Sequence, residues 1–288
     1  MLRDTEPFAE EVATADGQRI AARFLAPASE PKGIVVIAGA MAVAQAYYAA
    51  FARWLAAQGH LAVTFVYRGI GFSRPRKLRG FRADILDWAR LDCSAMIDAA
   101  CRRAPGKPLV WIGHSVGGQI LAFIPNRQRI AKAVTVACGS GYWRETTPQL
   151  KRRAPWLWFA VVPITTTLCG YFPGKRLRLI GDLPQGVIRQ WRRWCLDAHY
   201  AAGAEGEWAR SAYAAVTTPI VSLSFTDDEY MSARSIESLH ALYRNAPRTL
   251  KRIAPSDAGV PRIGHFGFFR ESFEPTLWRS HIAPELTE

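Results

Sequence analysis

Pro108-Leu109-Val110-Trp111-Ile112 runs straight into Gly113-His114-Ser115-Val116-Gly117-Gly118 and on into Gln119-Ile120-Leu121-Ala122-Phe123-Ile124. The first run has no polar face, as in a strand buried on both sides, and the segment after the glycines opens a helix. Gly-x-Ser-x-Gly on a strand-to-helix turn is a nucleophile elbow. Its serine sits on strained backbone. Side chains at the flanking positions would collide with the neighbouring strand and helix, so the glycines are required.

Working outward, Val12 to Leu25 alternates around Asp16-Gly17 and predicts a hairpin with a two-residue turn. Gly33 to Ala38 and His60 to Tyr67 are further buried strands. Between them Tyr47, Phe51, Trp54 and Leu55 have helical spacing over Gln45–Gln58, ended by Gly59. Arg82 to Arg103 predicts a long amphipathic helix with Ile85, Trp88, Ala89, Met96 and Ile97 on its core face. Ala131 to Ala137, Pro219 to Phe225 and Thr249 to Ala254 complete the strands. Alternating apolar strands and helices mean a mostly parallel central sheet flanked by helices, with the opening hairpin at one edge.

The chain of 288 residues is 49% hydrophobic and 21% charged, ordinary globular values that exclude a disordered or disulfide-stapled protein. Cys93, Cys101, Cys138, Cys169 and Cys195 form no Cys-x-x-Cys pair, so neither a zinc site nor a disulfide framework is expected. No metal cluster or dinucleotide fingerprint is present, and no cofactor is expected. The opening MLRDTEPFAEEV has charges where an export signal needs an apolar run, so a cytoplasmic location is expected. The net charge of +13 is unevenly spread: residues 144–194 carry 10 basic and 2 acidic side chains, whereas 195–288 carry 9 and 12. The basic stretch also holds Trp156, Trp158, Trp191 and Trp194, with Trp143 just before it. Without a recognised binding motif, that charge is not read as nucleic-acid binding.

An elbow requires partners in the chain order Ser, Asp or Glu, His. Asp227 and Asp228 follow the strand PIVSLSF, and His265 lies in the glycine-flanked loop RIGHFG after the last predicted strand. A serine is weak at its own pKa, so His265 would take its proton and a carboxylate would orient the imidazole. The remaining histidines, at 60, 114, 199, 240 and 281, read as strand-start, elbow-packing or helix-surface residues.

With these elements the chain resembles an α/β-hydrolase, and GHFGFFR together with FTDD resembles a poorly characterised bacterial subgroup of predicted hydrolases. The resemblance implies an α/β-hydrolase fold with a helical cap inserted: residues 1–138 and 216–288 as the core, 139–215 as the cap. The spacing of family acids selects Asp228 over Asp227, an exposed neighbour or helix cap; members that carry the acid after the preceding strand would point to Glu145. YRGIGFS (67–73) is similar to the family turn D-x-R-G-x-G-x-S and is read as a structural loop beside the site. Where the family oxyanion loop reads His-Gly-x, this chain has Ala38-Gly39-Ala40-Met41. Backbone N–H groups do that work, so the expected donors are Val116 and Ala40, or Met41, each worth roughly 3 kcal/mol of barrier. A serine at the elbow excludes the halide- and epoxide-cleaving branches, which use aspartate there.

The implied activity is hydrolysis of a carboxylic ester, thioester or amide with a hydrophobic acyl part, with no cofactor. Acyl transfer by the same residues, or a non-catalytic protein of this fold binding a membrane or partner, are the competing classes. Ala154 to Gly170 is 17 residues without a charge. It is too short and too proline-interrupted to span a bilayer. It reads as aromatic packing over the site, or as a surface that also touches anionic membrane.

Overall fold

A computed structural model describes residues 10–286. Residues 1–9, which carry most of the stretch read against an export signal, lie outside the described residues, as do 287 and 288. The strands are β1 (Glu10–Ala13), β2 (Arg19–Leu25), β3 (Gly33–Ala38), β4 (His60–Phe65), β5 (Leu109–His114), β6 (Ile130–Val136), β7 (Tyr171–Phe172), β8 (Leu183–Pro184), β9 (Ile220–Phe225) and β10 (Arg248–Ile253). All but β7 and β8 form one sheet of order β1-β2-β4-β3-β5-β6-β9-β10. It is antiparallel at β1–β2 and β2–β4 and parallel elsewhere. This is the α/β-hydrolase fold the sequence predicts.

Every residue of β3, β4, β5 and β9 is buried, which is why these strands read as unbroken apolar runs. Alternate side chains feed two cores. Ile34, Val36 and Trp111 face the helix Ser94–Arg103 and much of the 139–215 segment; Val35, Ile37 and Ile112 face Phe51, Phe268, Phe269 and Trp278. Between β6 and β9 the chain forms helices at Pro148–Trp156, Val162–Cys169, Gln185–Leu196, Tyr200–Ala204 and Glu207–Ala214. Trp194, Tyr200 and Tyr213 from the later helices are fully buried in the same core as Trp88 and Trp111. The second half of 139–215 therefore packs as part of the main body. Among the described residues, no helix is long and apolar enough to cross a membrane.

Four local readings change. The opening turn spans Thr14 to Gln18, with Gly17 at φ 81°, rather than two residues. The long helix starts at Ile85, capped by the Asp84 carboxylate on the Asp87 N–H at 2.8 Å, and widens to π geometry over Trp88–Cys93. The helix after the elbow is short, Val116–Gln119, followed by a 3₁₀ turn at Leu121–Phe123. Finally, β10 is an edge strand whose Arg248, Thr249 and Leu250 are exposed, unlike the interior strands.

The YRGIGFS turn is structural. Arg68, 3% exposed, pairs through Nε with buried Asp92 at 2.7 Å and through Nη1 with Asp16 at 2.6 Å. Ser73 Oγ accepts the Ala21 N–H at 2.9 Å and donates to the Val66 carbonyl at 2.6 Å, tying the turn to β2. Because the Arg68→Met variant leaves Asp92 a buried charge without its counterion, it should lose about 3–5 kcal/mol of stability. Chemical denaturation read by tryptophan fluorescence checks this; an unchanged midpoint would refute the assigned role.

Candidate active site

The candidate site lies beyond the carboxyl ends of the parallel strands, where open α/β sheets place their ligand crevices. Ser115 follows β5 directly, at φ 52° and ψ −116°, a conformation L-residues rarely adopt. It can be held there because the chain turns back into very close contact. A Cβ on Gly117 would run into the carbonyl of Ala38 at the end of β3, and one on Gly118 into the Cys138 sulfur. The Ser115 N–H donates to Val136 O at 3.0 Å, and the Ser115 carbonyl accepts the N–H groups of Gly118 and Gln119. The Cys138 sulfur lies 3.1 Å from the carbonyls of both Gly113 and Ser115, and its one S–H donates to one of them at a time. Burial pushes that thiol well up, so it acts as a protonated donor.

His265 and Asp228 are both buried, with Nδ1 2.9 Å from Asp228 Oδ2. A carboxylate only accepts, so Nδ1 carries the proton and Nε2 is left as the basic nitrogen. The other oxygen, Oδ1, accepts the N–H groups of Tyr230 (2.7 Å) and Met231 (2.9 Å). Asp227, read as an exposed neighbour or helix cap, instead accepts the backbone N–H groups of Ile263 and Gly264 from the histidine loop. Glu229, which sequence reasoning passed over, accepts the His265 N–H at 2.9 Å. Glu145 pairs with Arg234 at 3.1 Å rather than with the histidine. The structure thus brings together the His265–Asp228 pair next to the elbow, the His114 and His265 rings lying 5.4 Å apart. Among the described contacts, none joins the Ser115 hydroxyl to His265.

One expected donor is already engaged. The Ala40 N–H, expected from sequence as an oxyanion donor, donates to Tyr48 Oη at 2.7 Å. Tyr48 Oη lies 2.8 Å from His114 Nδ1, and His114 Nε2 lies 3.1 Å from the carbonyl of His265. That carbonyl can only accept, so Nε2 carries the proton and Nδ1 accepts from the tyrosine. Burial holds His114 well below the ordinary imidazole range, and pushes the Tyr48 phenol well up, so both stay neutral. The chain of donors runs Ala40 to Tyr48 to His114 to the backbone of His265. The next N–H of the loop, Met41, and the Val116 N–H at the start of its helix have no such acceptor among the described contacts. Tyr48 sits beside the helical apolar stripe in sequence, which is why it reads as core; only its tertiary partners reveal its hydroxyl's work.

A sheet of this order, with an elbow serine after β5, an acid after β9 and a histidine after β10, defines an α/β-hydrolase. The family described as serine aminopeptidase, S33, matches residues 29–178, and the chain belongs to it. No curated protein matches the sequence. Among solved structures the fold is similar to a soluble variant of monoglyceride lipase from Saccharomyces cerevisiae in complex with a substrate analogue, at 16% identity and a TM-score of 0.61 over 88% of this chain and 89% of that one. It is also similar to Est1E from Butyrivibrio proteoclasticus with ferulic acid bound, at 13% identity and a TM-score of 0.61 over 97% and 100%. A third likeness is an esterase from Pyrococcus furiosus, at 12% identity and a TM-score of 0.59 over 96% and 90%.

Removing the Tyr48 hydroxyl leaves the buried Ala40 N–H and His114 Nδ1 without partners. Tyr48→Phe should therefore lower stability by about 1–3 kcal/mol per group left unsatisfied. Urea unfolding measures it, and a variant as stable as the parent would show that the relay carries no weight.

Proposed function

We propose that the protein is a serine hydrolase that cleaves a carboxylic ester, thioester or amide with a hydrophobic acyl part, using Ser115, His265 and Asp228. The observation that carries this reading is the buried His265–Asp228 pair at 2.9 Å, next to a serine held at φ 52°. In the first step His265 Nε2 takes the Ser115 proton while Oγ attacks the acyl carbon. The tetrahedral oxyanion is met by the Val116 N–H and, with Ala40 engaged, by that of Met41. The C–O, C–S or C–N bond then breaks, and the imidazolium returns its proton to the leaving group. Water, activated by the same histidine, attacks the acyl-enzyme in the second half. Asp228 holds the tautomer and offsets the imidazolium charge.

The family supports hydrolase chemistry. The structural neighbours named as a monoglyceride lipase and as an esterase favour an ester within that class.

A fluorophosphonate probe should label the protein, and Ser115→Ala should abolish both labelling and hydrolysis in a panel of acyl esters graded by chain length. Asp228→Asn should reduce kcat by about 10⁴, as expected when the imidazole loses its orienting carboxylate. Glu145→Gln should leave kcat within a few-fold of the parent. A folded protein that takes no label would overturn the proposal, and equal losses in the Glu145 and Asp228 variants would overturn the choice of acid.

A further inference from the structure

Residues 148–169 form a nearly continuous helical run, α-helical at Pro148–Trp156, π at Leu157–Val161 and α-helical again at Val162–Cys169. Ala154, Trp158, Val162 and Thr166 recur every four residues and are buried, forming the inward stripe. The opposite face is apolar as well. Trp156 is 70% exposed, Phe159 58%, Ile164 55% and Leu168 71%, and Leu177 and Leu179 are exposed in the loop between β7 and β8. Of the nine large hydrophobic side chains exposed among the described residues, these are six. Scattered exposed hydrophobics are ordinary, but such clustering marks a contact surface.

Cations bracket the patch. Lys151, Arg152 and Arg153 are exposed just before Trp156, and Lys175, Arg176 and Arg178 alternate with Leu177 and Leu179. The two acids of residues 144–194 are committed elsewhere, Glu145 to Arg234 and Asp182 to Arg74. Along the flank of the same helix, Arg189, Arg192 and Arg193 line a cavity of about 470 Å³ together with Val162, Pro163 and Leu196, Arg193 being paired with Glu205. Arg192 also lies 5.7 Å over the Phe159 ring. Guanidinium groups and aliphatic side chains alternate over this surface.

That pairing selects among partners. A second copy docked face to face would bring the basic clusters against each other. Nucleic acid would satisfy the cations and leave Ile164 and Leu168 without a partner. An anionic bilayer satisfies both, with phosphates at the arginines and lysines and acyl chains under Trp156, Phe159, Ile164 and Leu168. Because no described helix can cross a membrane, the run lies on the surface. Its first turn is also fastened to the candidate site, Thr147 Oγ1 donating to the Glu229 carbonyl at 2.6 Å. We infer that the face of residues 151–179 bearing Trp156, Phe159, Ile164 and Leu168 is a docking surface for an anionic lipid bilayer.

The test uses full-length Ser115→Ala protein, so that docking is read without turnover, and vesicles of phosphatidylcholine with or without phosphatidylglycerol. Co-sedimentation should be at least about tenfold stronger with the anionic vesicles and should fall as salt rises. Trp156→Ser with Leu168→Ser, and separately Arg152→Glu with Arg153→Glu, should each weaken it by about tenfold or more at unchanged melting temperature; all four positions are exposed. A Trp156→Phe protein should bind like the parent while losing part of the blue shift in tryptophan emission on binding. The inference fails if the parent ignores anionic vesicles at low salt, if both double variants bind like the parent, or if sedimentation velocity shows a dimer that the ridge variants dissociate.

Discussion

The approach of Gly117 to the carbonyl of Ala38 is the contact on which the rest of the site depends. It brings the turn after β5 against the end of β3 with no room for a side chain between them. Ser115 must then take a backbone conformation costing on the order of 1–3 kcal/mol, which the surrounding hydrogen bonds over-determine. The same contact fixes where Gly39, Ala40 and Met41 begin. The strain at Ser115 and the path of the loop after β3 therefore have one geometric cause, the absence of a Cβ at position 117.

Tyr48 and His114 extend that constraint to a third strand end. Their hydrogen bonds connect the loop after β3, the elbow after β5 and the His265 loop after β10. A relay of this kind works only if the middle imidazole stays neutral, and complete burial ensures it. Where the resembling oxyanion loop carries a histidine, this chain has Ala38. The loop backbone is held by Tyr48, from the turn of helix that follows.

The parts of the fold written in backbone requirements were legible in sequence. Apolar runs announced β3, β4, β5 and β9, and the glycines at 113, 117 and 118 announced the elbow, because each follows from sterics local to a few residues. Choosing between Asp227 and Asp228 needed a family pattern, since adjacent carboxylates differ only in which way the chain turns them. The engagement of Ala40 was illegible, because its acceptor is a hydroxyl eight residues away on a helix whose spacing already reads as core. The 154–170 run left two readings open, packing over the site or an exposed contact surface, because composition does not say that Trp158 turns inward while Trp156, two residues earlier, faces out.

Asp227, Asp228 and Glu229 explain how an irregular loop can hold an imidazole in place. Three consecutive carboxylates would repel one another on bare backbone. Here each is neutralised by a separate set of donors: Asp227 by the N–H groups of Ile263 and Gly264, Asp228 by those of Tyr230 and Met231, Glu229 by that of His265 with Arg262 beside it at 3.4 Å. Two of the three sets belong to the histidine loop, so relieving the repulsion and positioning His265 are the same event. Gly264, at φ 64°, is the residue that lets consecutive N–H groups point at different carboxylates. Of the 12 acids in residues 195–288 of this +13 protein, the three after β9 hold the loop that follows β10.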